Sequence, residues 1–240
     1  MTVLFWDIDG TLLTTARAGV FAWEDAVREL TGRTEFELAQ LRIAGLTDYQ
    51  IALKTFESLG IAVDDAFLHR FVNRYGELLP SSLPRRKGHV MPNVREILEH
   101  LARNRPDVRS YLLTGNTRAG AAAKLQHYDL VQFFPGGAFA EDTRDRSSIA
   151  GRALEIARRA GPVADSGIFV IGDTPHDIEC ANAIGARTIA VATGGYSLEE
   201  LEGHRPWRLF AELPAPIEFV QLLNEGRADR DLLLATRSSS

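Results

Sequence analysis

The chain has 240 residues, with 27 Lys and Arg against 32 Asp and Glu and a formal net charge of −5. That balance excludes a nonspecific nucleic-acid binder, which needs clustered positive charge. No apolar run approaches the ~20 residues of a bilayer span, and the lone Cys180 leaves no intramolecular disulfide. The short apolar start has no basic region before it, so a signal peptide is not expected. A cytoplasmic protein with no membrane or nucleic-acid partner follows as the expectation, of a length that fits one large domain or two unequal ones.

Val3 to Trp6 reads as a short buried strand, followed by "DIDGTLLTT". Apolar residues then recur at helical spacing: Val20, Trp23, Val27 and Leu30; Ile51, Leu53, Phe56 and Leu59; Phe67, Leu68, Phe71, Tyr75 and Leu78. Phe21, Trp23, Phe67 and Phe71 are taken as the core of this helical block. No strand is expected between Ala18 and Leu79, and "LPSSLPRRKG", rich in proline, serine and charge, reads as a linker. Its basic run, Arg85-Arg86-Lys87, is a solvated surface or a hinge.

Beyond the linker, strands and helices alternate. Helices are expected over 94–102, 118–128, 148–160, 175–184 and 215–225. Strands are expected at "VRSYLLT", "GIFVIGD", "RTIAVAT" and, more weakly, "WRLFAEL", with a short strand and turn around "QFFPGG" and "GAFA". Cys180 falls in an apolar helical pattern, where small buried residues are usual. The final "TRSSS" reads as a disordered polar tail. Alternating strands and helices, several strands apolar throughout, predict a parallel sheet covered on both faces.

Ligands of open parallel sheets bind beyond the carboxyl ends of the strands. Three clusters fall there, and each has a bland reading. Asp9-Gly10 between apolar runs is a hairpin signal, yet Asp7 and Asp9, two apart in an extended chain, point to one side. In "GDTPHDIECA", Asp173 or Thr174 can cap a helix with Pro175 in its first turn and Asp177 at the positive end of the dipole. Asp173 and Asp177 can equally converge on one point. In "LLTGNT", Thr114, Gly115 and Asn116 are ordinary loop chemistry, or a hydroxyl and N–H groups that grip an anion. Together, four carboxylates at one sheet edge require a cation. Hard carboxylate oxygens are what Mg²⁺ takes, along with waters and a substrate phosphate. Such a set suits phosphoryl transfer, with one carboxylate as nucleophile and another as general acid and base.

"DIDGTLL", "LLTGN" and "VIGDTPHDI", in this order, resemble the signature motifs of the haloacid dehalogenase superfamily, and the ensemble resembles its phosphoglycolate-phosphatase-like branch. The resemblance implies a Rossmann-like, doubly wound parallel α/β sheet core, residues 1–14 and 86–240, with an inserted all-helical cap domain over 15–85. It implies a Mg²⁺-dependent phosphatase of a small phosphorylated metabolite. Asp7 matches the nucleophile that forms an aspartyl-phosphate, and Asp9 the acid that protonates the leaving oxygen and then activates water. Asp7, the carbonyl of Asp9, and Asp173 match the Mg²⁺ ligands, with Asp177 as a further ligand or a support. Thr114 matches the hydroxyl that binds phosphoryl oxygens, beside Gly10, Gly115 and Asn116.

The superfamily's phosphate-steadying lysine has no counterpart at its usual place. Arg146 is preferred for that role over Arg144, and Lys124, mid-helix, is the outsider. Arginine would keep the charge and gain a bidentate grip. Arg17 is read as a solvated hinge rather than a substrate contact, and His176 as a bystander beside the metal motif. A phosphomutase of the superfamily is disfavoured by Thr11, where mutases commonly carry an aliphatic residue. A haloacid dehalogenase is disfavoured by Asp9, which that chemistry does not need. A receiver-like phospho-binding module would lack both the helical block and the Asp-x-Asp-Gly-Thr start.

Overall fold

The burial of the first strand fixes the frame. The structure, a computed structural model, describes residues 1–36, 38, 43–141 and 145–237. Every residue of β1 (Thr2–Trp6) is buried. Period-two alternation sends Val3 and Phe5 into one apolar cluster and Leu4 and Trp6 into another. A strand apolar on both faces must lie inside a sheet covered on both sides.

β1 is flanked by β4 (Val108–Leu113) and β6 (Ile168–Gly172), both parallel to it, with Trp6 opposite Leu112 and Ile171. β5 (Gly137–Ala138), β7 (Arg187–Val191) and β8 (Arg208–Phe210) complete a six-stranded parallel sheet of order β5-β4-β1-β6-β7-β8. One face is covered by α4 (Val94–Asn104), α5 (Arg118–His127) and α9 (Pro216–Arg237), through Ile97, Leu98, Leu125, Phe219 and Leu223. The other is covered by α6 (Arg146–Arg159) and α7 (Pro175–Ala183), through Ile149, Ala153, Leu154 and Cys180. This is the doubly wound, Rossmann-like sheet expected. The chain leaves β1 for β4 on one side and returns to β6 on the other, so the sheet's direction reverses at β1, where such folds open a ligand crevice.

The helical block is α1 (Gly19–Thr31), α2 (Asp48–Ser58) and α3 (Asp65–Ser82). It has its own core, in which Trp23 meets Phe71 and Tyr75 edge-on at 4.9 and 4.8 Å. The indole N–H of Trp23 donates to Thr55 Oγ1 at 3.1 Å. Phe67 packs at the edge of this core, whereas Phe21 is outside it, under the Arg85 guanidinium at 3.7 Å. Ala123 of α5 and Ala140 join the same cluster, so the block packs on the sheet layer through α3 and α5.

Several expectations need correction. "LPSSLPRRKG" is not an open linker: α3 runs through Pro80 to Ser82 and a 3₁₀ turn covers Leu83–Arg85. Leu79 and Leu83 are fully buried in the helical core, and that packing outweighs the helix-breaking tendency of proline. The hairpin that Asp9-Gly10 signals does not form locally. β2 (Leu13–Thr14) pairs antiparallel with β3 (His89–Val90), which enters from the far end of the helical block.

A short helix, α8 (Leu198–Gly203), was not foreseen, although its Ser197–Glu200 capping box is visible in the sequence. The last helix continues past Glu225, since Gly226 makes room for the Phe169 ring and the following residues favour helix. Thr236 and Arg237 are therefore helical, and residues 238–240 lie outside the described ones. No helix among the described residues is long and apolar enough to cross a membrane.

Candidate active site

Three neighbouring strands deliver the three motifs to one sheet edge. Asp7 follows β1 directly and its N–H donates to the Ile171 carbonyl of β6 at 3.0 Å. Gly10, at φ +86°, turns the chain in a conformation that side chains resist. The turn is closed by Leu12 and Leu13 N–H groups on the Ile8 carbonyl. Thr114 follows β4, and Asp173 follows β6.

Asp7, Asp173 and Asp177 are all buried, and one oxygen from each lies within 4.8 Å of the others. Burial raises the Asp7 carboxyl to about 7, and repulsion from Asp177 and Asp9 adds to this while Arg146 opposes it. Asp173 is raised well above its ordinary range by burial, then by Asp7 and Asp177. Anionic oxygens this crowded are a site for a cation. The space around them is also kept open. A Cβ on Gly10 would lie 2.4 Å from Asp173 Oδ2, and one on Gly194 only 1.7 Å from it. Thr11 Oγ1 donates to Asp173 Oδ1 at 2.8 Å, and Thr193 Oγ1 to the Gly10 carbonyl at 2.5 Å. The Asp9 carbonyl accepts no backbone N–H among the described residues and is free to act as a further oxygen ligand.

Asp177 has less freedom. Its Oδ2 accepts from the Thr174 N–H and Oγ1 at 3.0 and 2.7 Å, and its Oδ1 from Arg146 Nη2 at 2.6 Å. Both oxygens are engaged by protein donors, which fixes the carboxylate's orientation, and Asp177 still lies within the acidic group that could hold a metal. Arg146 opens α6, buried, with Nη2 3.6 Å from Asp7 Oδ1 and Nη1 donating to the Gly45 carbonyl at 3.1 Å. Arg146 thus places a buried cation beside Asp7 and Asp177, and Arg144 falls outside the described residues.

Lys124 reaches the site too, on the other aspartate. Its Nζ donates to Asp9 Oδ2 and to Asn116 Oδ1, each at 2.6 Å. Burial pulls its acidity toward the neutral amine, but the charges of Asp9 and Asp48 and the Tyr75 hydroxyl outweigh that and hold it protonated. Asn116 Nδ2 donates to Asp9 Oδ2 at 2.8 Å and to Thr114 Oγ1 at 2.9 Å, and Asn116 N–H also reaches Thr114 Oγ1 at 3.3 Å. The Thr114 hydroxyl therefore accepts twice, leaving its own proton to donate elsewhere.

Asp48 was missed by sequence reasoning. It lies in the first turn of α2, behind a Thr47–Gln50 capping box, and its N–H donates to the Gly115 carbonyl at 2.8 Å. Its Oδ2 accepts from Thr117 N–H at 2.7 Å, which ties the helical block to the Thr114 loop. Burial raises the Asp48 carboxyl to about 6, against the pull of Lys124 and the Thr117 N–H. Gly194 was also missed, its only signal being a glycine pair after a strand. His176 is half-exposed and pairs with Glu179 at 3.1 Å, while Arg17 is exposed in the left-handed region at φ +67°. Cys180 is buried, with its thiol pushed up to about 12 by burial, and the thiol donates to the Arg146 carbonyl.

The sequence profile of haloacid dehalogenase-like hydrolases matches residues 4–182, and a second, HAD-hydrolase-like profile matches 150–215. The chain belongs to the haloacid dehalogenase-like hydrolases. A comparison with curated proteins finds no match. Among solved structures, a hydrolase from Pseudomonas syringae is similar at 19% identity and TM-score 0.68, over 94% of this chain and 99% of that one. A predicted phosphoglycolate phosphatase from Haemophilus somnus is similar at 14% identity and TM-score 0.68, over 88% and 94%. A proposed β-phosphoglucomutase from Thermotoga maritima is similar at 23% identity and TM-score 0.61, over 94% and 99%.

Proposed function

We propose that the protein is a Mg²⁺-dependent phosphatase that hydrolyses a small phosphorylated metabolite through an aspartyl-phosphate on Asp7, with the helical block as its cap. The observation that carries the reading is the convergence of Asp7 and Asp173, at the ends of adjacent strands, with Asp177 of the first turn of α7, beside the Arg146 cation. Asp7, Asp173 and the Asp9 carbonyl would hold Mg²⁺, with Asp177 fixing Arg146. When bound, the ion neutralises the crowded carboxylates and draws charge from the phosphoryl oxygens.

An Asp7 oxygen attacks phosphorus, and the bond from phosphorus to the ester oxygen breaks. The electron pair leaves with that oxygen, which takes the proton of Asp9. The Thr114 hydroxyl and Arg146 hold the phosphoryl oxygens meanwhile. In the second step Asp9, now a carboxylate, takes a proton from water as the water oxygen attacks phosphorus. The bond from phosphorus to Asp7 breaks, freeing the Asp7 carboxylate and inorganic phosphate. The helical block, tied to the site through Asp48 and Gly45, would close over this chemistry when substrate binds and limit the access of bulk water.

The direct test is release of phosphate from p-nitrophenyl phosphate with Mg²⁺, followed by a screen of phosphorylated metabolites for kcat/KM. Isomerisation of a sugar phosphate without phosphate release would favour a mutase instead. Gly194→Ala offers a second check on the metal site. Its Cβ has no room beside Asp173, so the half-activating Mg²⁺ concentration is expected to rise by roughly 10- to 100-fold with the fold retained. An unchanged Mg²⁺ requirement would contradict the place given to Asp173.

A further inference from the structure

We propose that Lys124 is a positioning residue for Asp9: it pins one oxygen of the carboxylate so that the other faces the leaving group. The proposal rests on the phosphatase reading above, which gives Asp9 its task but does not account for a lysine buried against it.

Asp9 Oδ2 accepts from Lys124 Nζ at 2.6 Å and from Asn116 Nδ2 at 2.8 Å. Lys124 Nζ is itself held by Asn116 Oδ1 at 2.6 Å, and Asn116 by the Thr114 hydroxyl. These groups form a closed ring of bonds around one carboxylate oxygen. Among the described residues none donates to Oδ1. The exposures match this asymmetry, with the Lys124 side chain 7% exposed and the Asp9 side chain 45%. An oxygen facing two N–H donors, one of them cationic, has no room for a proton. The proton that Asp9 transfers must therefore sit on Oδ1, the open side. When the bond from phosphorus to the ester oxygen breaks and the bond to Asp7 forms, that Oδ1 proton goes to the departing oxygen, and Asp9 is left as the carboxylate paired with Lys124.

A buried ion pair that merely joined α5 to the β1 tip would have the same geometry, so the test has to separate stability from acid catalysis. An aryl oxide such as 2,4-dinitrophenolate leaves without a proton, whereas an alkoxide needs one. The experiment measures kcat/KM of wild type and Lys124→Met with 2,4-dinitrophenyl, p-nitrophenyl, phenyl and ethyl phosphate. For Lys124→Met the expected loss is under about threefold with the dinitrophenyl ester and rises to about 10²-fold with the ethyl ester. Lys124→Arg, which keeps the cation, should recover most of the ethyl phosphate rate. In an Asp9→Asn background, Lys124→Met should cause no further loss, because its effect runs through Asp9.

Where the methionine variant does not fold, Lys124→Gln keeps a neutral donor and should give the same trend at smaller amplitude. An equal loss across the four esters, or no loss with any, would overturn the positioning role while leaving the phosphatase reading intact. A wild-type protein inactive on all four esters would overturn the phosphatase reading and this proposal with it.

Discussion

Asp7→Asn is expected to lower turnover of phosphate monoesters by about 10⁴- to 10⁶-fold, the scale on which hydrolases lose activity when the nucleophile is removed. Asparagine occupies the same volume, but its neutral amide is a poor nucleophile toward phosphorus and a weaker metal ligand. The same substitution is expected to raise the thermal stability of the metal-free protein. Burial holds the Asp7 carboxyl at about 7, against its ordinary 3.8, with Asp177 adding repulsion. The folded state therefore keeps a proton that the unfolded chain releases in that window.

Stability linked to Asp7 is fully present below about 3.8 and is lost as pH rises through about 7. An amide does not titrate, so Tm of Asp7→Asn should exceed that of the metal-free wild type by a margin that widens from pH 4 to pH 8. The lost attraction to Arg146 works the other way, but at 3.6 Å it is the weaker effect. A variant less stable than wild type at pH 8 without metal would contradict the electrostatic account of the site.

Chelation of the metal is the second large effect. A cation at a phosphoryl-transfer centre is worth several kcal/mol, so its removal should lower turnover by more than about 10³-fold. The same ion binds only the folded state, and at a hundred times its dissociation constant it stabilises by about 2.7 kcal/mol. For a chain of this size that corresponds to a Tm rise of roughly 5–10 °C. A metal held by Asp7 and Asp173 as proposed would displace their protons, so the rise should be larger at pH 8 than at pH 5. Differential scanning fluorimetry with and without Mg²⁺ at the two pH values measures this, and a shift independent of pH would count against ligation by these carboxylates.

The parallel sheet was legible because strands apolar on both faces and the helical periodicity between them leave one architecture. Asp7, Asp9, Thr114 and Asp173 were legible for a related reason: short polar motifs directly after such strands must fall on one edge. The long-range pairings were not. β2 meets β3 across the whole helical block, and nothing local in "TLLTT" specifies a partner so distant.

Lys124 shows a different limit. It lies well into α5, yet long helical side chains point back toward the N-terminus, and the start of α5 adjoins the Thr114 loop. Its partner choice, Asp9 rather than Asp7, depends on that angle and not on spacing. Asp48 was hidden because a first-turn aspartate after a capping threonine already has a sufficient local explanation. Only the docking of the helical block reveals the Thr117 N–H that it accepts from.

The aspartyl-phosphate itself is the claim on which the account turns. Wild-type protein turning over p-nitrophenyl phosphate with Mg²⁺, quenched in acid and reduced with borohydride, should yield a peptide in which Asp7 has become homoserine. Asp7→Asn should yield none. Steady turnover with no modification at Asp7, or with the phosphoryl group trapped on another residue, would contradict it.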